Sequence, residues 1–451
     1  LQNKNKMTRK TDEKKIEKKI NKMESRFSPH ATLYFPKNFY WGTSTSAHQV
    51  EGDNKNNDWW DWEHKRGKIE LGDKSGRADG SFKFYRRDIE AIKKINNNAY
   101  RFSIEWSRIE PEPGQWDYGA VEHYRQVLRD LKKNGIEPFV TLYHFTNPKW
   151  FAALGGWQNR RAIHYFTRYV RFIAEEMGDL IDFWLTMNEP VIYATQSFYV
   201  GVWPPGKKSV FATIRVLRHM IKAHNLSYKI IHETDVRRHR HEKKTRVSFS
   251  HNVISIQVYR KHSIIDQFFA GLADWIWNDL ILKVTRKRLD FLALNYYFHY
   301  RIARVHLGTW NFFVRVRKEH REMSDVGWEI YAPGIFDVLV DLKEYGLPIY
   351  ITENGVATDN ESKRARFLIS HLKEVYHAIE AGADVRSYFY WSLLDNFEWE
   401  EGWRPHFGLF AVDRKSFKRT KKRTADIYAE IAEKNAMPHH LLKYLGHSVE
   451  F

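Results

Sequence analysis

NAYRFSI (98–104), YGAVEHYRQVLRDLKKNG (118–135) and EPFVTLYHF (137–145) follow one another with different periods. The outer two are short, apolar and rich in aromatic and β-branched residues, as strands are. The middle one places Val121, Tyr124, Leu128 and Leu131 at helical spacing, and Gly135 follows as a stop signal. A strand, an amphipathic helix and a second strand form the unit of a parallel sheet. The pattern recurs outward from here. Further strand-like runs are FYWGTSTS (39–46), DFWLTMN (182–188), RVSFSHN (246–252), DFLALNYY (290–297), PIYITEN (348–354) and RSYFYWSL (386–393). Helix-period stretches such as RAIHYFTRYVRFIAEEMG (161–178) and SKRARFLISHLKEVYHAIEAG (362–382) separate them. Eight strands interleaved with helices predict a single-domain α/β protein with a (β/α)8 TIM barrel. An open doubly wound sheet is the alternative, but no GxGxxG follows the first strand. The predicted barrel domain covers 31–435, with a basic, disordered or frayed-helical tail at 1–30 and a C-terminal tail at 436–451.

The chain has 451 residues, 43% hydrophobic and 16% aromatic, enough for one large core. It has no Cys, which excludes disulfides, thiolate metal sites and a Cys nucleophile. The formal charge of +18 is unevenly placed. Residues 1–26 hold ten Lys or Arg against four Asp or Glu, and RRHRHEKK (237–244) is a second cluster. No nucleic-acid recognition motif accompanies the charge, so both read as solvated segments. No run is long and apolar enough to span a membrane, and the N-terminal stretch lacks a signal-like apolar core. A cytoplasmic protein that binds neither nucleic acid nor membrane is the expectation, with its oligomeric state open.

In such a barrel, catalytic groups sit where strands end at the C-terminal face. LTMNEP (185–190) ends the fourth run with Asn188 and Glu189, and ITENG (351–355) ends the seventh with Glu353 and Asn354. Gln49, Arg101, His144, Asn295, Tyr297 and Trp391 also fall at or just past strand ends. Two carboxylates in one barrel mouth suit glycoside hydrolysis, where one must donate a proton and the other must attack. They could also bind a divalent metal, but their neighbours are Asn, Gln, Tyr and Trp rather than further Asp, Glu and His. No metal and no cofactor is expected. Arg101 could keep Glu353 ionised or pair locally with Glu105.

With these stretches in place, the chain resembles glycoside hydrolase family 1, the retaining β-glycosidases. The resemblance covers roughly 34 to 430. It rests on FPKNFYWGTSTSAHQVEG, YRFSIEWSRIEP, LYHF, GGWQN, LTMNEP, LNYY, YITENG and YWSLLDNFEWEEGW…HFGLFAVD, in the family's order. It implies hydrolysis of β-glucosides, β-galactosides or β-fucosides through a glycosyl-enzyme intermediate. Glu189 would be the acid/base and Glu353 the nucleophile. Gln49, His144, Asn188, Glu398 and Trp399 would hold the sugar, and Trp391 would lie beneath its ring. Tyr297 and Arg101 would contact the nucleophile, and Asn295 and Phe407 complete the expected binding set. The partner is then a small β-glycoside or oligosaccharide. Glu398 in NFEW, without a nearby Ser and Lys, implies a non-phosphorylated sugar. A catalytically weak or inactive carbohydrate-binding barrel is the alternative.

The connections after strands 5 and 6, 263–291 and 298–328, are shorter than the family's usual ones. A wider mouth and poorly covered Trp275, Trp277 and Trp310 are expected there. The stretch 298–328 is also basic and lacks the Trp-rich elements that the resemblance would lead one to expect.

Overall fold

The computed structural model describes residues 32–237, 245–260, 262–303, 314–315 and 321–446. The basic tail (1–30), most of the 237–244 cluster and Trp310 lie outside the described residues. Eight parallel strands form one closed sheet: β1 (Tyr40–Ser44), β2 (Ala99–Ser103), β3 (Glu137–Thr141), β4 (Phe183–Asn188), β5 (Arg246–Val258), β6 (Leu292–Ala303), β7 (Ile349–Asn354) and β8 (Val385–Trp391). Neighbours pair in chain order, and β8 pairs with β1 to close the ring. Each of the eight expected strands is present.

The longer helices among the described residues are α1 (Ser81–Lys93), α2 (Tyr118–Lys133), α3 (Ala162–Met177), α4 (Val210–Arg237), α5 (Ile264–Asp274), α6 (Pro333–Leu342), α7 (Glu361–Glu380) and α8 (Arg423–Lys434). In α2 the expected face is the buried one. Asp117 caps its N-terminus by accepting from the Ala120 amide at 3.0 Å, and Gly135 takes φ 72° just beyond its end. The capping carboxylate and the left-handed glycine are the reasons the helix starts and stops there.

The barrel interior below the mouth is filled by Phe139, Phe183, Leu185, Phe291, Tyr350 and Phe389. Phe139 and Phe183 stack with centroids 4.0 Å apart. Gly42 on β1 makes room for this plug, because a Cβ there would lie 2.4 Å from the Phe389 ring. The polar side chains of the site lie above this plug, at the upper strand ends.

Two boundaries differ from the sequence expectation. The C-terminal tail does not begin at 436: Ala436–Met437 is buried and pairs antiparallel with Leu33–Tyr34, and His439–Leu445 packs against α7. Alternating apolar residues too few to read as a strand are made into one by a distant partner. The second difference is in β5 and β6, which overshoot their expected ends and stay paired from Ser255↔His299 to Val258↔Ile302. The strand-like alternation in NVISIQV and FHYRIA allows it, and each strand completes the other's hydrogen bonds.

This prolonged pair changes what the shortened connections do. Tyr296 donates to the Tyr331 carbonyl at 2.8 Å, Gln257 donates to the Tyr331 hydroxyl at 2.9 Å, and Arg301 reaches Glu329 at 2.9 Å. The stretch from 321 to 331 is thereby fastened over the barrel, carrying Trp328. The opening left by the shortening lies on the flank, as a groove of about 640 Å³ between α5 and α6 lined by Ile254, Ile256, Asn278, Phe336 and Val340. Trp275 is exposed and Trp277 half-buried.

Candidate active site

Asn188 and Glu189 leave the barrel at the end of β4. Pro190 starts the short helix Pro190–Thr195, a position where its missing N–H costs nothing. Glu189 is left in the left-handed region at φ 41° and ψ 61°. That conformation is uncommon for a residue with a side chain and clusters at functional positions. It is held by the Glu189 amide donating to the Ser250 carbonyl at 2.8 Å and by the Tyr193 amide donating back at 3.0 Å. The carboxyl is buried. Asn295 and Asn252 both donate to its Oε1, at 2.8 and 3.2 Å. Burial, reinforced by the negative charge of Glu353, pushes its pKa up to about 8, against the pull of the two amides and Arg101.

Glu353 ends β7 in a different setting. Arg101 forms an ion pair with its Oε1, and the Tyr297 hydroxyl donates to its Oε2 at 2.5 Å. Burial and the neighbouring Glu353 charge hold the Tyr297 phenol well above its ordinary range, so it stays a neutral donor. Arg101 does not pair with Glu105, which instead accepts from Ser107 and Thr146. The guanidinium is fully buried and shared: it also donates to Thr141 Oγ1 at 3.2 Å and to Asn188 Oδ1 at 2.7 Å. Gly355 follows at the tight end of the ENG turn. A Cβ there would sit 1.8 Å from the Trp391 carbonyl oxygen, so only glycine lets β8 come this close.

The two carboxyls are linked through amides. Asn295 Nδ2 donates to both Glu189 and Asn188 Oδ1, the latter at 3.1 Å, while Thr352 Oγ1 donates to Asn295 Oδ1 at 2.7 Å. With Asn188 Oδ1 taken by two donors, its Nδ2 faces His144 Nε2 at 3.2 Å. That nitrogen therefore accepts, and the His144 proton sits on Nδ1, a buried atom with no protein partner. Burial and the adjacent Arg101 charge hold the imidazole well below its ordinary pKa, hence neutral.

Across the mouth, Trp391 Nε1 donates to Glu398 Oε1 at 3.3 Å and Gln49 Nε2 to Glu398 Oε2 at 3.3 Å. Gln49 is fully buried, bonded also to Asn396 Oδ1 and the Phe397 carbonyl, each at 2.9 Å. Burial lifts the Glu398 carboxyl to about 8, with the Trp391 donor opposing. The His144 ring lies nearly parallel to Trp391 and Trp399, with centroids 6.0 and 6.2 Å away. Phe407 packs with Tyr297 and Trp391. All twelve side chains expected from the sequence thus converge on one mouth, joined directly or through one neighbour.

Three residues here were not expected. Trp328 lies against Tyr297 with centroids 5.5 Å apart, within the stretch where no Trp-rich element was anticipated. It sits in a loop, where the strand-end rule does not look. Asn252 was within reach of that rule, as the last residue of RVSFSHN. Thr352 points inward one residue before Glu353, and nothing in its sequence setting marks it.

Known proteins resemble the chain over most of its length. The sequence matches the profile described as Glycosyl hydrolase family 1 over residues 31–270 and 275–437. It is 31% identical to the 1,4-beta-D-glucan glucohydrolase of Thermotoga neapolitana, covering 89% of this chain and 99% of that protein. It is 30% identical to the beta-galactosidase of Pyrococcus woesei, covering 89% and 98%. Among solved structures, a beta-glycosidase from Pyrococcus horikoshii superposes with a TM-score of 0.85 at 35% identity, covering 93% of this chain and 99% of that one. A family 1 b-glucosidase from Thermotoga maritima in complex with isofagomine lactam gives 0.83 at 29% identity, covering 90% and 100%.

Proposed function

The chain belongs to glycosyl hydrolase family 1 and is a retaining β-glycosidase, and from that premise we propose how its residues divide the work. Glu353 is the nucleophile and Glu189 the acid/base. The observation that carries this assignment is the contrast in donors. Glu353 faces a cation and a phenol, which favour an anion, whereas Glu189 faces two neutral amides and has a pKa pushed up to about 8. Arg101 and Tyr297 stabilise negative charge on Glu353, while Glu189 is held protonated near neutral pH, and double displacement requires that division.

Glu353 attacks the anomeric carbon while Glu189 protonates the leaving oxygen. Esterification removes the Glu353 charge, which is one of the two effects raising the Glu189 pKa. Glu189, whose proton has left with the aglycone, is then stable as a carboxylate and serves as the base that takes a proton from the attacking water. Asn188 Nδ2 meets the sugar 2-hydroxyl, a contact that strengthens as the ring approaches an oxocarbenium ion. His144 Nδ1–H offers a second donor to the glycone. Trp391 supplies the platform and Glu398, with Gln49, takes the far hydroxyls.

The sugar is unphosphorylated. A 6-phosphate placed at Glu398 would meet a carboxyl, and NFEW (396–399) offers it no cation. Relatives named for glucosides and for galactosides support a neutral hexose as glycone. The aglycone meets Trp328 and the prolonged β5–β6 pair.

The test is covalent trapping. A 2-deoxy-2-fluoro-β-glucoside with a good leaving group should inactivate the enzyme, and peptide mass spectrometry should find the label on Glu353. Inactivation with the label on any other residue would overturn the assignment, as would an α-anomer appearing first in product NMR.

A further inference from the structure

Directly after α5 the chain makes one π-helical turn, Trp275–Asp279, before continuing as the helix Leu280–Thr285. Such wide turns recur at functional sites. This one lies against β5 at the point where its register with β6 slips, between Val253 and Ser255. Four hydrogen bonds join them. Trp277 Nε1 donates to the Asn252 carbonyl at 3.2 Å. Asn278 accepts from the Ile254 amide at 3.0 Å and donates to the Ile254 carbonyl at 2.7 Å. His251 Nε2 meets the Trp277 carbonyl at 3.0 Å, and burial holds that imidazole neutral, down to about 4. Asn278 is itself buried and braced by Asp274 at 2.7 Å. A side-chain amide thus does for Ile254 what a neighbouring strand would do where the ladder is broken.

The backbone so gripped carries Asn252. Its Nδ2 donates to Glu189 Oε1, and its buried Oδ1 has no protein partner. The amide is therefore placed by its own backbone rather than by a network of side chains. With Asn252 and Asn295 both donating to Oε1, the carboxyl proton belongs on Oε2.

We propose that Trp277, Asn278 and Asn252 form a positioning unit for the acid/base: the α5 turn fixes the β5 backbone, and Asn252 uses that fixed point to aim Glu189 Oε2–H at the glycosidic oxygen. The proposal rests on Glu189 being the acid/base. None of the three need touch the glycone, and none supplies the proton. A protonated carboxyl aimed wrongly still binds substrate but protonates the leaving group poorly.

Asn252→Leu, Asn278→Leu and Trp277→Phe test this with two glucosides. Phenyl β-glucoside needs its leaving oxygen protonated, and 2,4-dinitrophenyl β-glucoside does not. The kcat/KM for the phenyl substrate should fall about tenfold or more in the first two variants and about threefold in Trp277→Phe, which keeps the ring and loses one donor. For the dinitrophenyl substrate Asn252→Leu and Asn278→Leu should stay within about threefold of wild type, and Trp277→Phe should match wild type. Charged groups facing Glu189 are Glu353 and Arg101, with the neutral Tyr297 and Asn295 beside them. Removing the Asn252 donor should move the alkaline limb of kcat/KM to higher pH, since that donor favours the ionised form. Glu189→Gln is the reference. If it loses neither substrate selectively, the acid/base assignment itself fails. If it shows the selective loss while Asn252→Leu and Asn278→Leu lose both substrates equally, or neither, the positioning unit is overturned alone. Should Asn278→Leu not fold, Trp277→Phe decides in its place.

Discussion

On the side of the mouth built by β1, β2, β3 and β8, side chains close on one another. Gln49 is bonded to Asn396, Phe397 and Glu398, Trp391 to Glu398, and Arg101 to Thr141, Asn188 and Glu353. On the side built by β5 and β6, the strands overshoot the barrel, a groove opens on the flank, and Ile264, Phe268, Trp275 and Ile276 of α5 and its π turn are exposed. The first region is closed by side-chain pairs at the mouth, whereas the second is held largely through its backbone and leaves apolar side chains open. A sugar ring presents hydroxyls in fixed directions, so its receptor must be rigid and fully paired. An aglycone can be held by apolar area alone, which tolerates shortening of the chain around it.

The comparison is tested most severely at the nucleophile. Glu353→Gln should lower kcat for aryl β-glucosides on the order of 10⁴-fold or more, since removing a covalent nucleophile removes the pathway. Residual turnover within tenfold of wild type would mean that Glu353 is not the nucleophile.

Glu398→Gln comes next. It removes a carboxyl that accepts from Trp391 and Gln49, and kcat/KM should fall about 10²-fold, equally for good and poor leaving groups. A loss that depended on the leaving group would place Glu398 on the aglycone side. Wild type measured with 6-phospho-glucosides sharpens the point: it should prefer the neutral sugar, and the reverse preference would refute the reading of NFEW.

The pH profile carries a smaller effect. Glu189 must be protonated for the first step, and its pKa lies at about 8. Activity therefore persists below that value and is lost above it, and kcat/KM for a poor leaving group should drop about tenfold between pH 7 and pH 9. A dinitrophenyl leaving group should show little of that decline. An alkaline limb near pH 5 would indicate an acid/base open to water.

Across β-glucosides of matched leaving-group pKa but different shape, kcat/KM should vary within about fivefold, because the second region supplies few oriented polar groups. A hundredfold preference would break the comparison by revealing a specific wall. The smallest effect is expected from deleting residues 1–28, which should leave activity within about twofold, as these residues precede every barrel strand. A larger loss would bring the basic tail into the site.

Much of this was legible beforehand because barrels are assembled from local units. The period of α2 and its Gly135 stop lie within the eighteen residues 118–135, and the strands were recognisable from apolar runs, whereas the Asp117 cap was seen only in the structure. The strand-end rule then located Glu189, Glu353, Gln49, Arg101, His144, Asn188, Asn295, Tyr297 and Trp391 without knowledge of any contact, whereas Glu398, Trp399 and Phe407 were expected only from the family resemblance. It missed Trp328, which a loop delivers, and the overshoot of β5 and β6, which depends on each strand finding the other. It also gave no account of Ala436–Met437, paired with residues four hundred positions away.

The sequence by itself determined the barrel, the two carboxyls and the polar residues around them, because periodicity and strand ends are properties of short stretches. Only the tertiary structure decided what each group is. Arg101 had Glu105 four residues away and Glu353 252 residues away, and it pairs with Glu353. Glu189 and Glu353 are chemically identical side chains. One is a candidate acid and the other a candidate nucleophile only because folding surrounds the first with amides and the second with a guanidinium and a phenol. Protonation state follows from such distances, and no local pattern contains them.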